Sequence, residues 1–133
     1  MAKAMKSKQL SFEAADKVGL LSDVTRAIAA AKINVTAICA YGMERKANFM
    51  LITDGNAKAK KELTKLGITA QEEDVVSVEL SNKSGEMQKV AKKIAEAGIN
   101  IHYLYATASS GKTATAVFAT NDNKKTIKVI NAK

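Results

Sequence analysis

The chain has 133 residues and a net charge of +8, with 47% hydrophobic and 26% charged residues. That balance is that of a folded globular protein and excludes a disordered one, and no apolar run approaches the roughly 18 residues of a membrane span. The leading MAKAMKSKQ has lysines with no apolar stretch behind them, so no secretory leader is expected and a cytoplasmic location is the default.

Residues 9–14 (QLSFEA) alternate around Leu10 and Phe12 and predict a strand. A glycine loop follows, DKVGLLSDV, and Leu21, Val24, Ile28 and Ala31 then recur at helical spacing as one apolar stripe. VTAICAY (35–41) and ANFMLIT (47–53) are β-branched or aromatic enough to be a second and a third strand. Cys39, the lone cysteine, sits between Ile38 and Ala40 and reads as a buried strand thiol, without a disulfide partner. Asp54-Gly55-Asn56 supplies turn and cap residues for a lysine-rich helix that Gly67 stops, and ITAQEE reads as a fourth strand.

From residue 75 the series starts again. VVSVEL (75–80) predicts a strand, NKSGEMQKV the loop and helix start, and Met87, Val90, Ile94 and Ala97 the apolar stripe. IHYLYAT (101–107) and TATAVFAT (113–120) predict strands, and Asn121-Asp122-Asn123 opens another lysine-rich helix. Shifted by 66 positions, Lys17 meets Lys83, Gly19 meets Gly85, Ile28 meets Ile94, and Ile33-Asn34-Val35 meets Ile99-Asn100-Ile101. Past the next turn the shift is 67, and Thr53 meets Thr120 and Asn56 meets Asn123. This is a tandem duplication.

The order strand, helix, strand, strand, helix, strand is the split βαβ unit, with two helices on one face of an antiparallel sheet. The fold expected is therefore α+β, two βαββαβ ferredoxin-like units, 8–74 and 75–133, packed side by side with no flexible linker. At the 67 shift Gly67 falls beyond Lys133, so the second unit lacks its last strand. An open sheet edge is usually covered, and strand exchange between units or pairing with another copy of the chain is expected to fill it.

Several motifs tempt and do not hold. Ser110-Gly111-Lys112-Thr113 resembles the end of a phosphate-binding loop, but Ala106 stands where that loop needs glycine and a strand follows the lysine. A hairpin turn over 109–111 is the reading. His102 and Cys39, the only histidine and cysteine, align with Thr36 and Tyr105, and nothing brings them together as a nucleophile pair or a metal site. Glu72-Glu73-Asp74 reads as a solvated bend between strands. The lysines fall on polar helix faces; with no tryptophan and only three Phe and three Tyr, stacking partners for nucleic acid are few, and Tyr103 and Tyr105 read as packing residues.

The glycine loops remain. Glycine between strand and helix lets a ligand or another backbone approach, and the free N–H groups of the first helical turn favour an anion. Asp16 or Asn82 can receive an ammonium group, and Asn34 and Asn100 open the neighbouring strand with amides that donate and accept. That suits binding a zwitterion without changing it. The residues alone equally allow Asp16 and Asn82 to make local Asx turns and the glycines only to satisfy backbone geometry.

Asp16-Lys17-Val18-Gly19-Leu20-Leu21-Ser22-Asp23-Val24, followed by Ile33-Asn34-Val35, resembles the signature of the ACT domain, a small amino-acid-sensing module. Asn82-Lys83-Ser84-Gly85-Glu86-Met87 with Ile99-Asn100-Ile101 resembles a second copy, so that the likeness covers about residues 8–133. In that family modules pair side by side and small ligands, typically amino acids, sit at the pair interface near the glycine loop. The resemblance thus implies ligand-binding positions at Asp16, Gly19, Leu20, Leu21 and Asn34, and at Asn82, Gly85, Glu86, Met87 and Asn100. Val18 and Ser84 depart from it, since proline often precedes the glycine, while Leu21 and Met87 keep the usual apolar residue two past it.

With no catalytic or DNA-binding domain attached, the resemblance implies a stand-alone tandem ACT protein. Such a protein would be non-catalytic, without cofactor or metal, and a homo-oligomer. It would bind an amino acid and act on a separate enzyme or other partner. The first alternative is a nucleic-acid-binding module of the same topology. The second is a small enzyme, which would need an acid–base constellation that the sequence does not present.

Overall fold

The structure, a computed structural model, describes residues 2–108 and 110–133. Its elements are β1 (Lys3–Ala15), α1 (Leu20–Ala30), β2 (Val35–Met43), β3 (Lys46–Thr53), α2 (Asn56–Lys65), β4 (Gln71–Ser81), α3 (Glu86–Glu96), β5 (Ile101–Ala108), β6 (Thr113–Thr120) and α4 (Asn123–Asn131). The class is α+β. The chain divides into two compact units, Lys8–Glu73 and Asp74–Lys133 together with Met1–Ser7.

In the unit Lys8–Glu73, β3 lies between β2 and β1 and pairs antiparallel with both. Alternation along β1 and β3 sends Leu10, Phe12, Ala47, Phe49 and Leu51 to the helix side, where they meet Leu20, Val24 and Ile28 of α1 and Ala59 and Leu63 of α2. Phe12 and Phe49 are cross-strand partners, and their rings stack at 4.8 Å and 8°.

The other unit repeats the plan. β6 lies between β5 and β4, and its core joins Val76, Val78 and Leu80 to Ala116 and Phe118, Val90 and Ile94 of α3, and Ile130 of α4. Among the described residues no strand follows α4. The other neighbour of β4 is β1, and residues 3–7 of β1 belong to this unit. Ala4 is buried in its core, and the Asn131 side chain bonds both the N–H and the C=O of Ala4. Ala70 holds the corresponding place in the first core, 66 positions on. The chain's opening segment therefore completes the second unit, in the place that the residues around Ala70 hold in the first.

Four sequence expectations change here. The first strand begins at Lys3 rather than at residue 9, and residues 68–70 precede β4 rather than forming a strand. Glu72-Glu73-Asp74 is no bend, because β4 runs through it with all three residues exposed. Cys39 is half-buried, since β2 is an outer strand whose sequence neighbours Ile38 and Ala40 are exposed. The connection of β5 to β6 falls at residues 109–112, as the hairpin reading has it; Ser109 itself lies outside the described residues.

Duplicated asparagines hold each unit together. Asn56 Oδ1 accepts from Thr53 N–H and Oγ1 (3.1 and 2.6 Å), while Nδ2 donates to the Lys8 carbonyl at 3.0 Å. Asn123 does the same with Thr120 and the Asp74 carbonyl. Each amide ties a helix start to two strands, which accounts for the Thr-x-x-Asn echo without any ligand.

Candidate functional site

In the unit Lys8–Glu73, the loop between β1 and α1 and the ends of β2 and β3 line a shallow, open cleft of about 270 Å³. Its floor is apolar and buried: Leu20 from α1, with Ala47 and Phe49 from β3. Its rim is apolar and exposed, with Leu21 at 53% and Tyr41 at 48% exposure. Gly19 precedes α1 with φ +91° and no side chain caps the helix; Leu20 N–H donates to the Lys17 carbonyl at 3.3 Å and Asp23 N–H to the Gly19 carbonyl at 3.0 Å, which leaves Leu21 and Ser22 as the uncapped N–H groups of the first turn.

Asp16 supplies the charge. Its backbone N–H donates to the Arg45 carbonyl at 3.0 Å, which pins the loop to the β2–β3 turn. Its side chain leans over the β2 backbone at Gly42, where a Cβ would lie 2.8 Å from Oδ2. Among the described residues the carboxylate is in no hydrogen bond or ion pair. Lys17 also lines the cleft, with its ammonium 4.0 Å from Asp23.

The cleft thus gathers four of the five first-copy candidates, Asp16, Gly19, Leu20 and Leu21. It does not gather Asn34. That residue precedes β2, whereas the cleft uses Ala40, Tyr41 and Gly42, six or more residues further along and so roughly 20 Å away. Asn34 N–H donates to Asp54 Oδ1 (2.8 Å) and its carbonyl accepts from Asp54 N–H (3.1 Å). Asn100 and Asn121 repeat that pairing at 3.1 Å in both directions. The Ile-Asn echo is accounted for by this backbone turn and by the burial of Ile33 and Ile99.

The second loop differs in its details. Asn82 N–H donates to the Lys112 carbonyl at 2.8 Å, matching Asp16, but its side-chain amide also donates to the Gly111 carbonyl at 3.1 Å. Ala108 stands at the strand position that Gly42 holds in the first copy; they pair with Ala114 and Ala47 respectively. Gly85 repeats the positive φ, at +87°. Glu86 and Met87 lack the contrast of their counterparts: Leu20 is buried and Leu21 exposed, whereas Glu86 and Met87 are both half-buried, Met87 against the core. Glu86 accepts from Lys89 Nζ at 3.0 Å, and this hydrogen bond holds its carboxyl below the ordinary carboxylate range. Glu86 also lines a hollow of about 390 Å³ between α3 and α4, with Lys89, Lys93 and Ile130.

Sequence reading missed Gly42 and Tyr41. The available signal was an isolated glycine within a strand pattern, which marks a close backbone approach. Among the described residues no cluster of three His, Cys, Asp or Glu could hold a metal ion, and no helix is long and apolar enough to cross a membrane. Phe12, Phe49 and Phe118 lie in the cores.

A model of the ACT domain pair matches residues 5–133 of this sequence. The chain belongs to the ACT domain family. A structure of protein BT0572 from Bacteroides thetaiotaomicron is similar to this ACT pair at 30% identity, with a TM-score of 0.87, over 96% of this chain and 88% of that one. The ligand-free regulatory subunit of aspartate kinase from Thermus thermophilus shares the fold at 17% identity and TM-score 0.70, over 92% and 89% of the two chains. Escherichia coli aspartokinase III, solved with aspartate and ADP, shares it at 16% identity and TM-score 0.63, over 97% of this chain and 32% of that one. No curated protein matches the sequence.

Proposed function

We propose that this ACT domain pair is a non-catalytic regulatory protein that binds a free amino acid and acts on a separate partner. The observation that carries the reading is the preformed cleft beside Gly19, where an unpaired Asp16 carboxylate, uncapped helix N–H groups and an exposed apolar rim converge. A zwitterion with an apolar side chain complements all three: its ammonium meets the carboxylate, its carboxylate the N–H groups, and its side chain Leu21 and Tyr41. A regulatory use is supported by the shared fold of the aspartate kinase regulatory subunit. Binding then acts by shifting a conformational population, or the association of copies, towards the form with the better-formed cleft.

Thermal unfolding against a panel of free amino acids and nucleotides tests this. An amino acid at about 100 times its dissociation constant adds roughly 2.7 kcal/mol of stability, and Gly19→Val, strained at positive φ, abolishes the shift. A panel without any amino-acid shift overturns the reading. Strongly salt-dependent binding of RNA would replace it with the nucleic-acid alternative.

A further inference from the structure

At one matched pair of positions the two copies differ in a chemically coupled way. In the first, the loop residue is an acid, Asp16, and the strand residue facing it is Gly42, whose missing Cβ leaves room for the carboxylate. In the second, the loop residue is an amide, Asn82, which donates to the Gly111 carbonyl as a carboxylate could not, and the strand residue is Ala108. Gly42 and Asp16 thus form a unit: alanine at 42 would push the acid aside, whereas in the second copy the amide turns to the Gly111 carbonyl and an alanine stands at 108.

We infer that the Asp16–Gly42 pair selects a ligand by its primary ammonium group, and that the second copy's loop has lost this selection. The inference rests on the amino-acid reading of the cleft. An ammonium has three donors and no acceptor, and an unpaired carboxylate at the rim of an apolar cleft is its complement. At the second loop the amide at 82 carries no charge, its N–H is committed to Gly111, and the nearest carboxylate of the helix start, Glu86, is held by Lys89 at 3.0 Å. One chain therefore carries one ammonium-selective cleft.

The test uses the intact chain, titrated calorimetrically with the twenty free amino acids and with their N-acetyl derivatives, which lack the ammonium charge. At least one free amino acid should bind at one molecule per chain, and its N-acetyl form should bind about tenfold or more weakly. Asp16→Asn, an exposed and near-isosteric change, should weaken the free form by a similar factor while leaving the unfolding midpoint of the unliganded protein in place. Gly42→Ala, which puts a methyl against Oδ2, should do the same from the other side. If a free amino acid binds equally well after N-acetylation or after Asp16→Asn, or binds at two per chain, the selection is wrong and the amino-acid reading stands. If no free amino acid binds, both fall.

Discussion

Asn131 holds Ala4 by both polar groups of its backbone: Ala4 N–H donates to Oδ1 at 2.8 Å, and Nδ2 donates to the Ala4 carbonyl at 3.0 Å. A side-chain amide, with one donor and one acceptor edge, mimics a neighbouring strand there. It anchors the chain's first residues to the end of the last helix. Asn131→Ala removes both bonds and leaves the two Ala4 groups short of partners. The expected cost is about 1–3 kcal/mol in urea unfolding. Asn131→Asp, which keeps an acceptor but loses the donor, should fall between. Deleting residues 1–7 should cost more than either, because it also strips Ala4 from the core around Val76 and Val78.

Lys32 and Gly98 occupy the same place in the two copies, just past α1 and α3, with φ of 61° and 71°. Both turns close by the same bonds, Ile33 N–H to Ile28 C=O and Ile99 N–H to Ile94 C=O. A lysine in the left-handed region carries a steric penalty that glycine does not. Lys32→Gly should raise stability by about 0.5–1 kcal/mol after glycine's extra unfolded-state entropy is subtracted. Gly98→Lys should lower it by a similar amount. Equal midpoints for wild type and both variants would show that neither turn is strained.

The periodic parts of the fold were legible from the sequence. Apolar residues at helical spacing mark α1 and α3, and alternation marks β3 and β6, because each buries one face against a continuous core. The first half of β1 was not legible: KAMKSK offers only Ala4 and Met5 to a core, and its partners lie far along the chain. For the same reason the completing strand of the second unit was expected as an exchange or a second copy, without the segment that provides it. The glycine loop was legible as a candidate because helix entry, glycine and acid are contiguous in sequence. Asn34 and Asn100 stand apart from the loops, with their backbones paired to Asp54 and Asn121, a local role that the sequence alone does not separate from placement for a ligand.

Lys93 replaces a glycine cap. Gly67, with φ +79°, follows the end of α2, whereas at the end of α4 Lys93 reaches across from α3 and donates to the Ile130 and Ala132 carbonyls at 3.1 and 2.7 Å. Those carbonyls are at the negative end of the helix dipole, where a cation both bonds and neutralises. Lys93→Met keeps the aliphatic stem and removes the charge. It should cost about 0.5–1 kcal/mol and speed hydrogen exchange in the last turn of α4 more than in α2. Uniform exchange across both helices would leave Lys93 as a surface residue only.

Glu86 gives the second unit a pH dependence with a definite sign. The hydrogen bond from Lys89, then the charges of Lys89 and Lys83, hold the folded-state carboxyl below its ordinary value against an opposing effect of burial. The unfolded state therefore binds the proton more readily, and stability rises with pH through that interval. The contribution is fully present above the unfolded-state value, near 4.3 for a glutamate, and is lost as pH falls through the lower folded-state value. Glu86→Gln removes the titration. Its unfolding midpoint in urea should lie below that of wild type at neutral pH and converge with it under acid conditions. Lys89→Met should show the same convergence, because the hydrogen bond and the larger charge effect both come from that side chain. Parallel curves for wild type and Glu86→Gln across the whole range would mean that the pair seen at 3.0 Å contributes nothing in solution.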